Sequence, residues 1–139
     1  MLSLLLLAHL AYSMPLPISL LTTHAGTGTV YTQDSVAGSC GTVHSDSDLI
    51  VAISTYWMKK GQASSSSSNT NSNTLCSQKI SATNILTGTT VTVVVADTCA
   101  ACGENDVDFS VGSWDALTGS AAWGTFALDW KFCGSGGCS

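Results

Sequence analysis

Apolar positions along this chain come in short bursts separated by Gly, Ser and Thr, the spacing of strands and tight turns. "GTGTVYTQDSVAGSCGTV" opens a β-rich body, with Thr, Val and Tyr in a strand and Gly-Ser punctuation behind it. "DLIVAISTYWM" is a second apolar stretch. Asp48 is placed to cap a helical turn there, but the β-branched content leaves strand and short helix equally open. "KISATNIL" and "TTVTVVVAD" predict two strands joined by a hairpin-like turn at Thr87-Gly88. The near-continuous valine run of the second fits a strand covered on both sides, as inside a closed barrel. "SVGSWDALTG" predicts one short helix, with Trp114 and Leu117 three apart and Gly119 ending it. "GTFALDWKFC" puts Phe126, Leu128, Trp130 and Phe132 on one face, the alternation of a half-buried strand. The sum is an all-β domain of five or six strands with one or two short helices, and closing it into a barrel removes its exposed edges.

The flanks read differently. "MLSLLLLAHLAYSMPLP" holds an apolar run, Leu2 to Leu10, too short to span a bilayer but long enough for the core of a signal peptide. Small residues at Ala11 and Ser13 predict cleavage after residue 13, and Pro15 and Pro17 argue against a buried helix. The predicted organisation is a signal peptide over 1–13, a lead-in over 14–25, a barrel domain over 26–133 and a tail over 134–139. Within it, the Ser/Asn-rich segment 62–75 reads as an exposed loop.

Charge and cysteine narrow the function classes. The chain has no arginine and four lysines (Lys59, Lys60, Lys79, Lys131) against nine acids, a formal charge of −5. Such a surface repels phosphate backbones, which excludes nucleic acid as a partner, and its abundant neutral hydroxyls and amides suit hydrogen-bonding ligands such as sugars. Six cysteines (Cys40, Cys76, Cys99, Cys102, Cys133, Cys138) in a short secreted domain read as disulfides. A zinc site would draw on Cys99-x-x-Cys102 with Cys133 and Cys138, but the second pair has the wrong spacing and no histidine is near. A thioredoxin-like role needs a βαβ context that "CAACGENDVD" lacks.

The acids concentrate around "VADTCAACGENDVDFS". Asp97 ends an apolar strand, which places its carboxylate at a barrel rim, partly desolvated. Asp106 and Asp108 share one face if their segment is extended. Two carboxylates brought together resist simultaneous ionisation, so one of Asp97 and Asp108 can hold a proton for a glycosidic oxygen while the other accepts from sugar hydroxyls. The competing reading has Asp97 and Asp106 capping turns through backbone N–H groups, and for Asp106 it is the stronger one. A Cys99–Cys102 bridge would pin the loop between the acids.

"VADTCAACGENDVDFSVGSWDAL", with "GTGTVYTQDSVAGSCG" before it and "WKFC" after it, resembles the double-psi β-barrel of the expansin, loosenin and rare-lipoprotein-A group over about residues 26 to 133. The resemblance implies a six-stranded double-psi β-barrel and assigns roles residue by residue. Asp108 falls on the expansin aspartate that is the proton donor in family-45 glycoside hydrolases. Asp97 matches the strand-end aspartate of microbial expansins, and Thr29 the threonine that contacts polysaccharide, with Tyr31 following in the same strand. Asp106 stands where plant expansins have histidine, a departure shared with loosenin-like chains. Cys40 pairs with Cys76 as the corresponding expansin cysteines do, which leaves Cys133 with Cys138 by elimination. Family-45 enzymes take a catalytic base from a Thr-x-Tyr-x-Asp segment, and here "TVYTQD" sets Asp34 one residue late, in or beside a turn.

Among aromatic residues, Tyr31 is the candidate sugar platform, and Tyr56, Trp57 and Trp123 are groove-lining candidates for which the core is the competing reading. Trp114 and Trp130 read as core, and His44 as a solvated surface residue. The expectation is a secreted, monomeric barrel that binds and loosens cell-wall polysaccharide of the cellulose, chitin or peptidoglycan class without hydrolysis. It implies no cofactor, no metal, no nucleic acid and no membrane partner. The alternatives are a glycoside hydrolase or lytic transglycosylase using Asp108 as acid, and a protein-binding barrel of the protease-inhibitor or effector type.

Overall fold

The computed structural model describes residues 22–63, 73–134 and 136–138. The signal peptide, most of the lead-in and the greater part of the Ser/Asn-rich loop lie outside the described residues. Six strands are present: β1 (His24–Tyr31), β2 (Ile50–Ser54), β3 (Lys79–Asn84), β4 (Thr90–Cys99), β5 (Val107–Ser110) and β6 (Phe126–Phe132). Helix α1 (Thr55–Ala63) follows β2, and helix α2 (Val111–Thr118) follows β5. The strands close into one barrel in the order β1-β5-β2-β4-β3-β6. β1 runs parallel to β5 and β2 parallel to β4; the other four pairings are antiparallel. His24 and Ala25 already pair with Trp130 and Asp129, so the sheet begins just before Gly26.

Alternation sets what faces inward. β6 buries Phe126, Leu128, Trp130 and Phe132 while Ala127, Asp129 and Lys131 stay at least partly exposed. β4 alternates too: Val93 and Val95 are buried and Val94 is half-buried, so the valine run has one covered face and one partly open one. With Val51, Ile53, Ile80, Val107 and Phe109 these side chains fill the interior as a single cluster. Small barrels of this kind are filled by side chains and leave no channel.

The ambiguous "DLIVAISTYWM" resolves into both structures. β2 is buried along its full length, and the chain turns helical at Thr55. Ser54 makes the junction, donating its hydroxyl to Glu104 O (2.6 Å) and approaching Trp57 N at the first turn of α1 (3.5 Å). α2 is capped at both ends. Ser110 Oγ accepts from Ser113 N (3.2 Å), and Gly119 adopts the left-handed conformation (φ 68°) while its N–H bonds Asp115 O. Ser110 Oγ also donates to Asp48 O and Ser113 Oγ to Ile50 O, which ties the helix to the entry of β2 through satisfied buried hydroxyls.

Candidate functional site

Register brings the sequence-predicted acids onto one row. Thr29 of β1 is opposite Asp108 of β5; Asp108 is opposite Ala52 of β2; and Ala52 is opposite Asp97 of β4. The row crosses four adjacent strands, so Asp97 and Asp108 stand two strand spacings apart, about 10 Å between backbones. The Asp108 side chain points away from the interior cluster, since its neighbours Val107 and Phe109 point into it, and a bulge after Val95 brings Asp97 to the same outer face. Ala52 leaves only a methyl between the two carboxylates. A bulge makes this alignment: β2 and β4 are in step at Val51 and Val95, then slip so that Ala52 meets Asp97 in place of Ala96. An extra residue on one strand re-aims the following side chain, and here that side chain is the acid.

Hydrogen bonds distinguish the two acids. Thr29 Oγ1 donates to Asp108 Oδ1 at 2.7 Å. Asp97 Oδ1 accepts from the backbone N–H groups of Ser39 and Thr98, both at 2.7 Å, and is thereby held as an oriented acceptor. Burial pushes the Asp108 carboxyl above the ordinary carboxylate range, the Thr29 hydroxyl works against that shift, and the charge of Asp97 adds to it. Tyr31 lies at the same place. Burial first, then the charges of Asp97 and Asp108, push its phenol up to about 12, so it is a neutral O–H donor at any physiological pH. The Gln33 side chain beside it pulls the other way, more strongly than either charge pushes. Yet neither Tyr31 Oη nor Gln33 Nε2, both out of solvent contact, completes a hydrogen bond with the protein. Buried polar atoms without partners are uncommon in folded proteins. Gln33 carried no signal in sequence beyond its position two residues after Tyr31.

The segment Gly38-Ser39-Cys40-Gly41 explains itself residue by residue. A Cβ on Gly38 would come within 2.6 Å of Ala96 O and 2.9 Å of the Asp97 Cβ, so only glycine lets the loop pass this close. Ser39 supplies the N–H to Asp97 and sets its hydroxyl 2.7 Å from Thr98 Oγ1. Cys40 is bridged to Cys76, and Gly41 has φ 93° at the turn. On the far side of Asp97, Cys99 is bridged to Cys102, which shortens the path to the Asp108 strand. Cys133 is bridged to Cys138. All three pairings are those expected.

Other predicted residues divide. Asp106 spends both oxygens on the backbone, accepting from Thr27 N (2.9 Å) and Gly103 N (3.0 Å), so it anchors a turn to β1 and stands apart from the ligand row. Trp57 is 3% exposed and packs edge-on to Trp130 and Phe132; its ring offers no face to a ligand, and the core reading replaces the groove reading. Tyr56 is exposed with Lys60 Nζ 4.5 Å from its ring centre, and Trp123 is 59% exposed in the segment before β6. Trp114 and Trp130 are core. Asp34 is exposed in the left-handed conformation (φ 52°) and accepts from Thr32 Oγ1. His44 bonds Asp48 at 3.1 Å on the surface.

No family model matches the sequence, and no curated protein does. Solved structures do. A Streptomyces papain inhibitor superimposes with a TM-score of 0.65 at 28% identity, over 80% of this chain and 94% of that one. The apo expansin of Clavibacter michiganensis follows at 0.60 and 26%, over 80% of this chain and 50% of that one. The chain is an expansin-like double-psi β-barrel. An aspartate-to-asparagine mutant of the Clavibacter expansin, solved in complex with cellohexaose, shares the fold at 22% identity and a TM-score of 0.56. The barrel spans about half the length of these expansin chains and nearly the whole of the inhibitor.

Proposed function

We propose that this expansin-like barrel is secreted and binds cell-wall polysaccharide of the cellulose, chitin or peptidoglycan class at the row that carries Thr29, Asp108 and Asp97, loosening it without cleaving a bond. The observation that carries the reading is the row Thr29–Asp108–Ala52–Asp97, on a fold shared with an expansin solved with cellohexaose bound. Asp97, fixed by two N–H groups, accepts from a sugar hydroxyl. Asp108, whose burial favours the protonated form, donates to a glycosidic or hydroxyl oxygen when protonated and accepts from a sugar hydroxyl when ionised. Tyr31 stands beside them with its ring partly exposed and its neutral hydroxyl out of solvent contact. Each such bond replaces one that the glucan chain makes with its neighbour in the solid, which is how binding becomes loosening. Three disulfides on a small barrel fit an oxidising, extracellular setting.

The engagement of the acids supports the non-hydrolytic reading. Inverting hydrolysis needs a general base that activates water across the sugar from the acid. Asp97 has Oδ1 taken by two backbone donors, leaving Oδ2 for a sugar hydroxyl, and Asp34 lies exposed in a turn. The direct test is a pull-down on cellulose, chitin and peptidoglycan, wild type beside Asp108→Asn, with the supernatant assayed for released sugar. Retention of the wild type, weaker retention of the variant and no released sugar are expected. Sugar release lost in Asp108→Asn would instead establish a glycoside hydrolase or lytic transglycosylase.

One observation favours a second reading, as a protease inhibitor: the papain inhibitor is matched over 94% of its length. That role would use loop tips, and the loop closed by the Ala37–Val43 bridge exposes Val36 and Val43. Inhibition of a papain-class protease that survives Asp108→Asn and is lost on replacing Val36 and Val43 by serine would decide for it.

A further inference from the structure

Of the four tryptophans, Trp57, Trp114 and Trp130 are buried, and Trp123 alone stands open to solvent. Its segment is built to hold it there. Behind the Gly119 cap of α2, Ala121 is pinned twice: its N–H donates to Thr118 Oγ1 (3.1 Å), and its carbonyl accepts from Trp114 Nε1 (2.9 Å). Further on, the Phe126 ring is pressed so closely on the β1 backbone that a Cβ on Gly28 would come within 2.5 Å of it. Phe126 packs on Trp114 as well. Between these two anchors Ala122, Trp123, Gly124 and Thr125 are all exposed, and a Cβ on Gly124 would meet nothing within 4 Å. The loop stands clear of the barrel with both ends fixed to it, so a ligand meets the indole already presented.

The β1–β6 ladder places this loop relative to the acid row. The ladder ends with Gly28 opposite Phe126, and Thr29, the last member of the row, is the next residue of β1. Trp123 precedes Phe126 by at most about 11 Å of chain. A glycan seated on the row and running past Thr29 reaches the indole within a few rings. The row offers carboxylates and a threonine hydroxyl; Trp123 adds an open aromatic face beyond them. A sugar presents both matching chemistries, hydroxyls around its rim and C–H groups on its faces. In a β-linked glucan the ring substituents are equatorial, which leaves those faces flat, and the chain runs straight. An α-linked glucan curves away.

We propose that Trp123 is a stacking platform at the Thr29 end of the row, and that the barrel selects extended β-linked glycan chains of several rings over short or α-linked ones. The inference rests on the polysaccharide reading above and narrows it. One ring lies flat on the indole while others hydrogen-bond Asp108 and Asp97. Aromatic stacking adds modestly to the area it buries, so a chain that reaches Trp123 should be preferred about three- to tenfold.

Calorimetric titration with cellotriose, cellohexaose and maltohexaose, beside iodide quenching of tryptophan emission, tests it. Iodide reaches only an exposed indole, so quenching in this protein reads Trp123. Cellohexaose should bind wild type about three- to tenfold more tightly than cellotriose and shield the emission from iodide; maltohexaose should do neither. Trp123→Ala should bring cellohexaose to the affinity of cellotriose, and Trp123→Phe should keep part of the difference. Both replace an exposed side chain, and their thermal melts should match wild type. Asp108→Asn should weaken both cello-oligosaccharides and leave their ratio intact. Equal binding of cellotriose and cellohexaose by wild type, or a length preference unchanged in Trp123→Ala, overturns the platform while leaving an Asp108-dependent groove intact. Papain inhibition lost in Trp123→Ala with glycan binding unchanged assigns the ring to the inhibitor reading and overturns the platform too. Failure of wild type to bind any of the three glycans overturns the groove reading as well.

Discussion

Asp108 is half-buried, and burial outweighs the Thr29 hydroxyl that favours its charge, so its carboxyl sits above the ordinary value of 3.8. The sign of its effect on stability follows. A carboxyl whose folded pKa is raised contributes fully below 3.8, and that contribution is lost as pH rises through the folded value. Asp108→Asn keeps the acceptor for Thr29 and has no charge to bury. It should therefore melt above wild type at pH 7, with the gain shrinking toward zero below 3.8 in melts across pH. A gain that grows on acidification would contradict the assigned shift. The same variant should bind glycans less well, the exchange of stability for function common at active sites. Gly38→Ala probes the neighbouring acid: with Ala96 O 2.6 Å from the new methyl, overpacking should cost about 1–3 kcal/mol in denaturant unfolding and displace Asp97. At this level the sequence was readable where chemistry is local. It was mute on Gln33, buried just past the end of β1, and ambiguous on Trp57, whose ring is core only because α1 lays it against Trp130 and Phe132.

Strands and helices with local signals were legible in advance. β6 shows its period of two, α2 its Gly119 terminus, and the β3–β4 turn its Gly88 at φ 73°. The junction of β2 and α1 was not, because one continuous apolar run serves a buried strand and then a helix face, and only the Ser54 bond to Glu104 O marks the change. The bulge at Ala96 was equally hidden, since register is decided by the partner strand. The disulfides separate by the chain they close. Cys40–Cys76 spans 36 residues and Cys99–Cys102 only 3. On loop-closure entropy, serine replacement of the first pair should cost about 4 kcal/mol and of the second about 2 kcal/mol in denaturant unfolding. A larger loss from the short bridge would mean that it holds more than the loop between the acids.

Closure of the sheet makes the groove possible as a whole. The barrel order sets β2 between β5 and β4 although it lies well before both in sequence, and Thr29 joins from β1 at the other edge of the row. Expansins and a papain inhibitor share this frame, so the frame alone does not choose between sugar and protease. The row of side chains is where the two readings part. Amide NMR of the ¹⁵N-labelled protein titrated with cellohexaose reads that row directly. Saturable shifts centred on Thr29, Tyr31, Ala52, Asp97 and Asp108, and absent in Asp108→Asn, are the predicted result. Shifts confined to the Val36–Val43 loop, or a spectrum unmoved at millimolar ligand, would contradict it.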